Sequence, residues 1–196
     1  MTDTPMLLHF AEDLTQASAI VKAAGMSLAA IARHRFPDGE LKLRLPSALP
    51  PRVVLLRTLD NPDEKLVELL LVARTARTLG AQHLTLVAPY LAYMRQDMAF
   101  QPGEVVSQKV VGQFLADLFD AVITVDPHLH RVATLAQAVP AAQATVLSGA
   151  PLLADMIATH LPQALLVGPD EESAQWIAQA AARHGFDHAV CHKIRH

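Results

Sequence analysis

The chain has 196 residues, 52% of them hydrophobic and 18% charged, with a formal net charge of -3. That apolar share excludes a disordered chain, and the charge excludes an overall basic field for nucleic acid or an anionic membrane. A single cysteine, Cys191, excludes an internal disulfide framework and a Cys-cluster zinc site. Met1-Thr2-Asp3-Thr4-Pro5 has no basic region leading into an apolar one, and no apolar run approaches the ~20 residues of a membrane span. The chain therefore reads as soluble and cytoplasmic, with neither a nucleic-acid nor a membrane partner.

Strands are expected at 7–10, 28–34, 53–57, 84–88, 121–125, 164–167 and 187–192. Several are continuously apolar, as strands buried on both faces are. The clearest helix covers 62–79. Asn61 can cap it, Pro62 suits its first position, Asp63 and Glu64 complement its dipole, and Gly80 stops it. Further helices are expected at 105–119, 150–160 and 171–184, the last stopped by Gly185. Strands alternating with helices imply βαβ units and a mostly parallel sheet. One segment breaks this rhythm: Phe36-Pro37-Asp38-Gly39-Glu40 is a turn, and 41–45 then alternates strictly, as a half-exposed edge or antiparallel strand does. The Ala- and Gln-rich stretch 135–145 reads as a chain reversal between two halves, 1–140 and 141–196.

Ligands of open α/β sheets bind beyond the carboxyl ends of the strands. The eight glycines form neither a Walker A motif nor G-x-G-x-x-G. Strand 121–125 runs into Asp126-Pro127-His128, where a carboxylate and an imidazole two residues apart can point at one site. Such a pair suits a partly hydrated Mg²⁺ that also meets substrate phosphates, or alternatively caps a polar loop. Strand 84–88 leads to Arg95-Gln96-Asp97, where Arg95 is a fork-shaped donor suited to phosphate. A solvated loop has the same composition. Asp170, after strand 164–167, reads on local grounds as an N-cap. Lys193 and Arg195 alternate onto one face, either to neutralise phosphoryl charge or as a solvated basic tail. Cys191 reads as buried in the last strand, and the dispersed histidines as structural or surface groups.

Five stretches in this order resemble ribose-phosphate pyrophosphokinase (phosphoribosyl pyrophosphate synthetase): Phe36-Pro37-Asp38-Gly39-Glu40, Pro89-Tyr90 with Arg95-Gln96-Asp97, Asp126-Pro127-His128, Pro169-Asp170 and Lys193-Ile194-Arg195. The stretch with Pro102-Gly103-Glu104 looks closer to the archaeal-type branch. The resemblance implies α/β phosphoribosyltransferase-like (Rossmann-like) halves with a protruding flag-like hairpin. It implies transfer of diphosphate from Mg-ATP to the C1 hydroxyl of ribose 5-phosphate, giving phosphoribosyl pyrophosphate and AMP. Carried over by position, Phe36, Asp38 and Glu40 hold adenine, and the hairpin serves a neighbouring subunit, so a homo-oligomer is implied. Arg95 and Gln96 contact ATP. Asp126 organises the Mg²⁺ site and His128 contacts metal or phosphates. Asp170 holds ribose hydroxyls or a second Mg²⁺, and Lys193 and Arg195 stabilise the transition state.

The chain departs from that pattern in places. Met98-Ala99-Phe100-Gln101 stands where phosphate- and ADP-regulated members carry basic residues, and Glu171-Glu172-Ser173 replaces small residues. No apolar strand ends in an acidic pair and a Gly/Thr-rich turn, the family's ribose-5-phosphate loop. The residues present are therefore expected to bind ATP with little turnover on their own. A non-catalytic nucleotide-binding paralogue and a phosphoribosyltransferase are the alternatives.

Overall fold

The computed structural model describes residues 4–129 and 131–192. It divides into two compact units, Met1–Val146 and Leu147–His196. In the first unit, strands β1 (Met6–His9), β2 (Ser27–Ala30), β5 (Arg52–Leu56), β6 (His83–Ala88), β7 (Ala121–Val125) and β8 (Gln143–Leu147) form one sheet in the order β2-β1-β5-β6-β7-β8. The pairs β1–β2, β1–β5, β5–β6 and β6–β7 are parallel. A separate antiparallel hairpin joins β3 (Ala32–Arg35) to β4 (Leu41–Arg44).

Both faces of the sheet are covered, which is why the strands read as apolar runs. Neighbours on β1 point to opposite faces: Leu8 joins the large core with Leu55, Leu86, Leu69 and Leu115, while Leu7 packs with Leu56 and Ala17. Helices α2 (Pro62–Thr78) and α3 (Ser107–Leu118) supply the first layer, and α1 (Leu14–Ala24) the second. Within α3, Gly112 lies so close to α4 (Leu135–Ala138) that a Cβ there would stand 1.8 Å from the Ala138 carbonyl oxygen.

The second unit contains α5 (Ala150–His160), β9 (Leu166–Gly168), α6 (Ala174–His184) and β10 (His188–Val190), with β9 and β10 parallel. Ala150, Ala154, Leu166, Ala180, Ala181 and Phe186 form its small core.

Several expectations are corrected. Segment 28–34 is two strands, because Ile31 turns the chain at a buried position, its N–H donating to the His9 carbonyl at 2.8 Å. Helix α1 was not expected. It buries only Ala17, with Ile20 and Val21 half-buried, too sparse a stripe to stand out. Within 135–145 lies a short helix and the start of an edge strand. β8 adds to the first sheet, so the division between units falls after Val146 rather than at 140/141. Helix 171–184 begins as a 3-10 turn, Glu171–Ser173, before α6. Strand β10 ends at Val190, and Cys191 is exposed rather than buried.

Candidate functional site

Parallel strands end together, so their following loops converge on one edge. Beyond the carboxyl ends of β5, β6 and β7 lies a cavity of about 700 Å³. Asp60, Asn61 and Pro62 come from the loop after β5, residues 90–96 from the loop after β6, and Val125, Asp126, Pro127 and His128 from β7 and its end. Ser107, at the first turn of α3, completes the wall. Pro62 opens α2, so two helix N-termini, each with positive dipole character, border one space.

Backbone geometry marks the same place. Three non-glycine residues of the described chain have positive φ: Asn61 at 49°, Tyr93 at 62° and Asp126 at 41°. All three line this cavity. Left-handed backbone costs a residue with a Cβ energy, and it persists where surrounding structure holds it, as at binding sites. Asn61 occupies the N-cap position of α2, yet its side chain makes no capping bond, contrary to the expected cap.

The walls are tied together. The Arg57 and Leu59 amides donate to the Val87 and Tyr90 carbonyls, each at 2.9 Å. Lys65 Nζ donates to Asp60 Oδ1 at 2.7 Å and to the Thr58 carbonyl at 3.0 Å. The Lys65 bond holds the Asp60 carboxyl below its ordinary range. The Tyr93 hydroxyl donates to Asp63 Oδ1 at 2.5 Å, and that bond raises its pKa. Gln96 Nε2 donates to the Met98 carbonyl at 3.1 Å, and the Gln108 amide and side chain bind the Gln96 and Met94 carbonyls, each at 3.1 Å. Arg131 Nη1 donates to the buried Asp97 at 2.6 Å.

Of the residues expected from sequence, Arg95, Gln96, Asp126 and His128 meet in this cavity. Arg95 is exposed there and has no acidic partner among the described residues. Phe36, Asp38 and Glu40 do not line it. They form the hairpin tip, where the Glu40 amide donates to Asp38 Oδ1 at 3.1 Å and Phe36 is 40% exposed. Asp170 lies in the second unit, where its Oδ1 accepts from the Ser173 amide at 3.1 Å in a reciprocal capping box. Lys193 and Arg195 lie outside the described residues. No group of three or more metal-ligating side chains occurs among the described residues. Asp126 and His128 are two, a set that fits a Mg²⁺ keeping waters and sharing substrate phosphates, since that ion takes few protein ligands. Sequence reasoning missed Asp60, Tyr93 and Ser107 as cavity walls; their signal was position just after a strand or at a helix start.

At the carboxyl end of β5, just before the loop that supplies Asp60 and Asn61, lies a charged cluster that the sequence did not reveal. Arg57, 2% exposed, donates from Nε to Glu68 Oε2 at 2.8 Å and from Nη1 to Glu12 Oε1 at 2.8 Å and Asp13 Oδ2 at 3.2 Å. Its guanidinium carbon stands 4.4 Å from the centre of the Phe10 ring. Burial pulls the Arg57 pKa down, but Glu12 and Glu68 outweigh it and hold the guanidinium above its ordinary range. Burial pushes the Asp13 carboxyl up despite Arg57.

Fold and cavity define an open parallel-sheet α/β protein with a polar cleft at the strand carboxyl ends. Residues 6–118 match the family profile described as the N-terminal domain of ribose phosphate pyrophosphokinase. The chain belongs to that family. It is 36% identical over 172 residues to the ribose-phosphate pyrophosphokinase of Methanopyrus kandleri, covering 86% of this chain and 57% of that protein. The Saccharolobus solfataricus protein of the same name is 41% identical over 110 residues, 55% of this chain and 38% of that one. The Halobacterium salinarum protein is 32% identical over 195 residues, 97% of this chain and 67% of that one. The chain thus spans roughly half the length of the curated relatives it matches. The crystal structure of phosphoribosylpyrophosphate synthetase from Mycobacterium smegmatis has the same fold, with a TM-score of 0.83 and 21% identity over 98% of this chain and 65% of that one.

Proposed function

We propose that the cavity binds Mg-ATP and that the protein is a ribose-phosphate diphosphokinase, transferring diphosphate to the C1 hydroxyl of ribose 5-phosphate. The observation that carries this reading is the meeting of Arg95, Gln96, Asp126 and His128 at adjacent strand ends. The names of the relatives support it.

The transfer requires the C1 oxygen to bond to the β-phosphorus while the bond from that phosphorus to the α-phosphate oxygen breaks. AMP leaves and the hydroxyl proton is lost. Such chemistry needs positioning and charge neutralisation more than a covalent nucleophile. Mg²⁺, when bound with the nucleotide, would neutralise phosphate oxygens. Asp126 and His128 would hold it with its waters. Arg95 contacts phosphate and Gln96 the nucleotide. In this reading Asp170 meets ribose hydroxyls or a second Mg²⁺, and Lys193 and Arg195 stabilise the developing charge. Phe36, Asp38 and Glu40 reach the adenine bound by a neighbouring copy, which makes the working assembly a homo-oligomer in the cytoplasm.

Product analysis with Mg-ATP and ribose 5-phosphate tests the reading. AMP and phosphoribosyl pyrophosphate in equal amounts support it. ADP as the product contradicts diphosphate transfer.

A further inference from the structure

The hairpin is attached to helix α2 by two parallel ionic rungs. Arg33 Nη1 donates to Glu68 Oε1 at 2.6 Å, and Arg35 Nη2 donates to Glu64 Oε1. Residues two apart on a strand are about 6.8 Å apart. Residues four apart on a helix are about 6 Å apart. The two arginines of β3 therefore match the two glutamates of α2, with strand and helix running in opposite directions.

Each rung continues to something useful. Glu68 is wholly buried and accepts from Arg57 on its other oxygen, and Arg57 begins the loop whose Asp60, Asn61 and Pro62 line the cavity. Arg35 Nη1 reaches back to the Gly39 carbonyl at 3.3 Å, inside the tip turn. The tip turn is thus braced to the first turn of α2, whose opening Pro62 lines the cavity.

Three carboxylates and two guanidiniums in one place are a poor way to gain stability. Desolvation offsets most of what the pairs return, and apolar side chains of similar size are often as stabilising or more so. The rungs instead fix direction, because two contacts along β3 prevent the hairpin from swinging about a single one.

We propose that Arg35 and Glu64, backed by Arg33 and Glu68, are positioning residues that aim the Phe36–Glu40 tip for nucleotide binding. This rests on the reading of Phe36, Asp38 and Glu40 as adenine-side groups. The outer rung is the place to test it, since Arg35 and Glu64 are both well exposed and an exposed ion pair contributes little to stability.

The test compares Glu64→Lys, Glu64→Asp and the unaltered protein by Mg-ATP titration, amide hydrogen exchange over residues 36–40 and thermal unfolding. Glu64→Lys repels Arg35. It is expected to weaken apparent Mg-ATP affinity at least fivefold and to speed exchange at the tip, with Tm nearly unchanged. Glu64→Asp keeps the charge and recovers affinity to within about twofold. Faster tip exchange with unchanged affinity overturns the proposal, and so does unchanged exchange. If the unaltered protein binds no Mg-ATP, the functional reading falls instead. The rungs are then judged on exchange alone: faster exchange in Glu64→Lys supports the bracing and unchanged exchange overturns it.

Discussion

Arg131, in the turn that follows β7, donates to Asp97 at 2.6 Å and so holds the last residue of the Arg95-Gln96-Asp97 stretch that follows β6. Asp97 is almost wholly buried, and its second oxygen has no hydrogen-bond partner among the described residues. Arg131 also lies 5.9 Å from the centre of the Phe100 ring, farther along the same loop. Two loops that reach the cavity from neighbouring strands are thereby locked to each other.

Arg131→Ala leaves a buried carboxylate without its cation. A loss of about 2 kcal/mol is expected in denaturant unfolding. Mg-ATP affinity should fall as well, because the loop carrying Arg95 loosens. Unchanged stability would show that the Asp97 carboxylate needs no partner.

Arg95→Ala removes an exposed donor and should leave Tm within a few degrees while weakening Mg-ATP by roughly tenfold, the scale of one charge-assisted contact. His128→Ala should likewise weaken Mg-ATP more than it weakens folding. Calorimetric titration with paired melting curves separates the two effects.

Glu68 and Asp13 share the guanidinium of Arg57 but should respond oppositely to neutralisation. Glu68→Gln disturbs two arginines at once and should cost about 3 kcal/mol. Asp13 carries a carboxyl whose pKa burial raises, so its ionised form is disfavoured in the fold. Asp13→Asn should be neutral or stabilising near pH 7. Equal losses from both variants, measured by urea unfolding, would contradict this ranking.

Gly112→Ala places a methyl 1.8 Å from the Ala138 carbonyl oxygen, a backbone atom that cannot rotate away. Overpacking of this kind costs about 1–3 kcal/mol or more, and thermal unfolding should show it. Gly25→Ala meets no such atom and should show only the strain of its left-handed φ of 66°.

In the second unit, Arg183 and His184 hydrogen-bond Asp155 and hold its pKa at about 2, below the ordinary 3.8. A depressed carboxyl contributes stability that is fully present above the unfolded value and is lost as pH falls through the folded one. The loss should therefore run from about pH 4 down to about pH 2. Trp176, the chain's one tryptophan, packs against this unit's core and reports it by fluorescence. Asp155→Asn should flatten the acid slope; an unchanged slope would assign it to other carboxyls.

The central strands and the long helices were legible because burial on both faces writes continuous apolar runs, as over Val53–Leu56 of β5, and because α2 carries a proline start and a glycine stop. The edge strand β8 was not, since it is mostly exposed and holds no apolar run. Asp126 and His128 could be read from their place after a strand. The left-handed backbone at Asn61 and Tyr93 could not, since nothing in a side chain announces it. Arg57 was the hardest. A charge at the end of an apolar strand reads as surface, and its burial depends on Glu68, eleven residues on, and Glu12, forty-five residues back.

The most direct test of the central claim is calorimetric titration of the protein with ATP in the presence and absence of Mg²⁺. The account predicts saturable binding that requires Mg²⁺ and is lost or strongly weakened in Asp126→Ala and Arg95→Ala proteins that still melt normally. Binding that is indifferent to Mg²⁺ and to both substitutions, or no saturable binding at all, would contradict it.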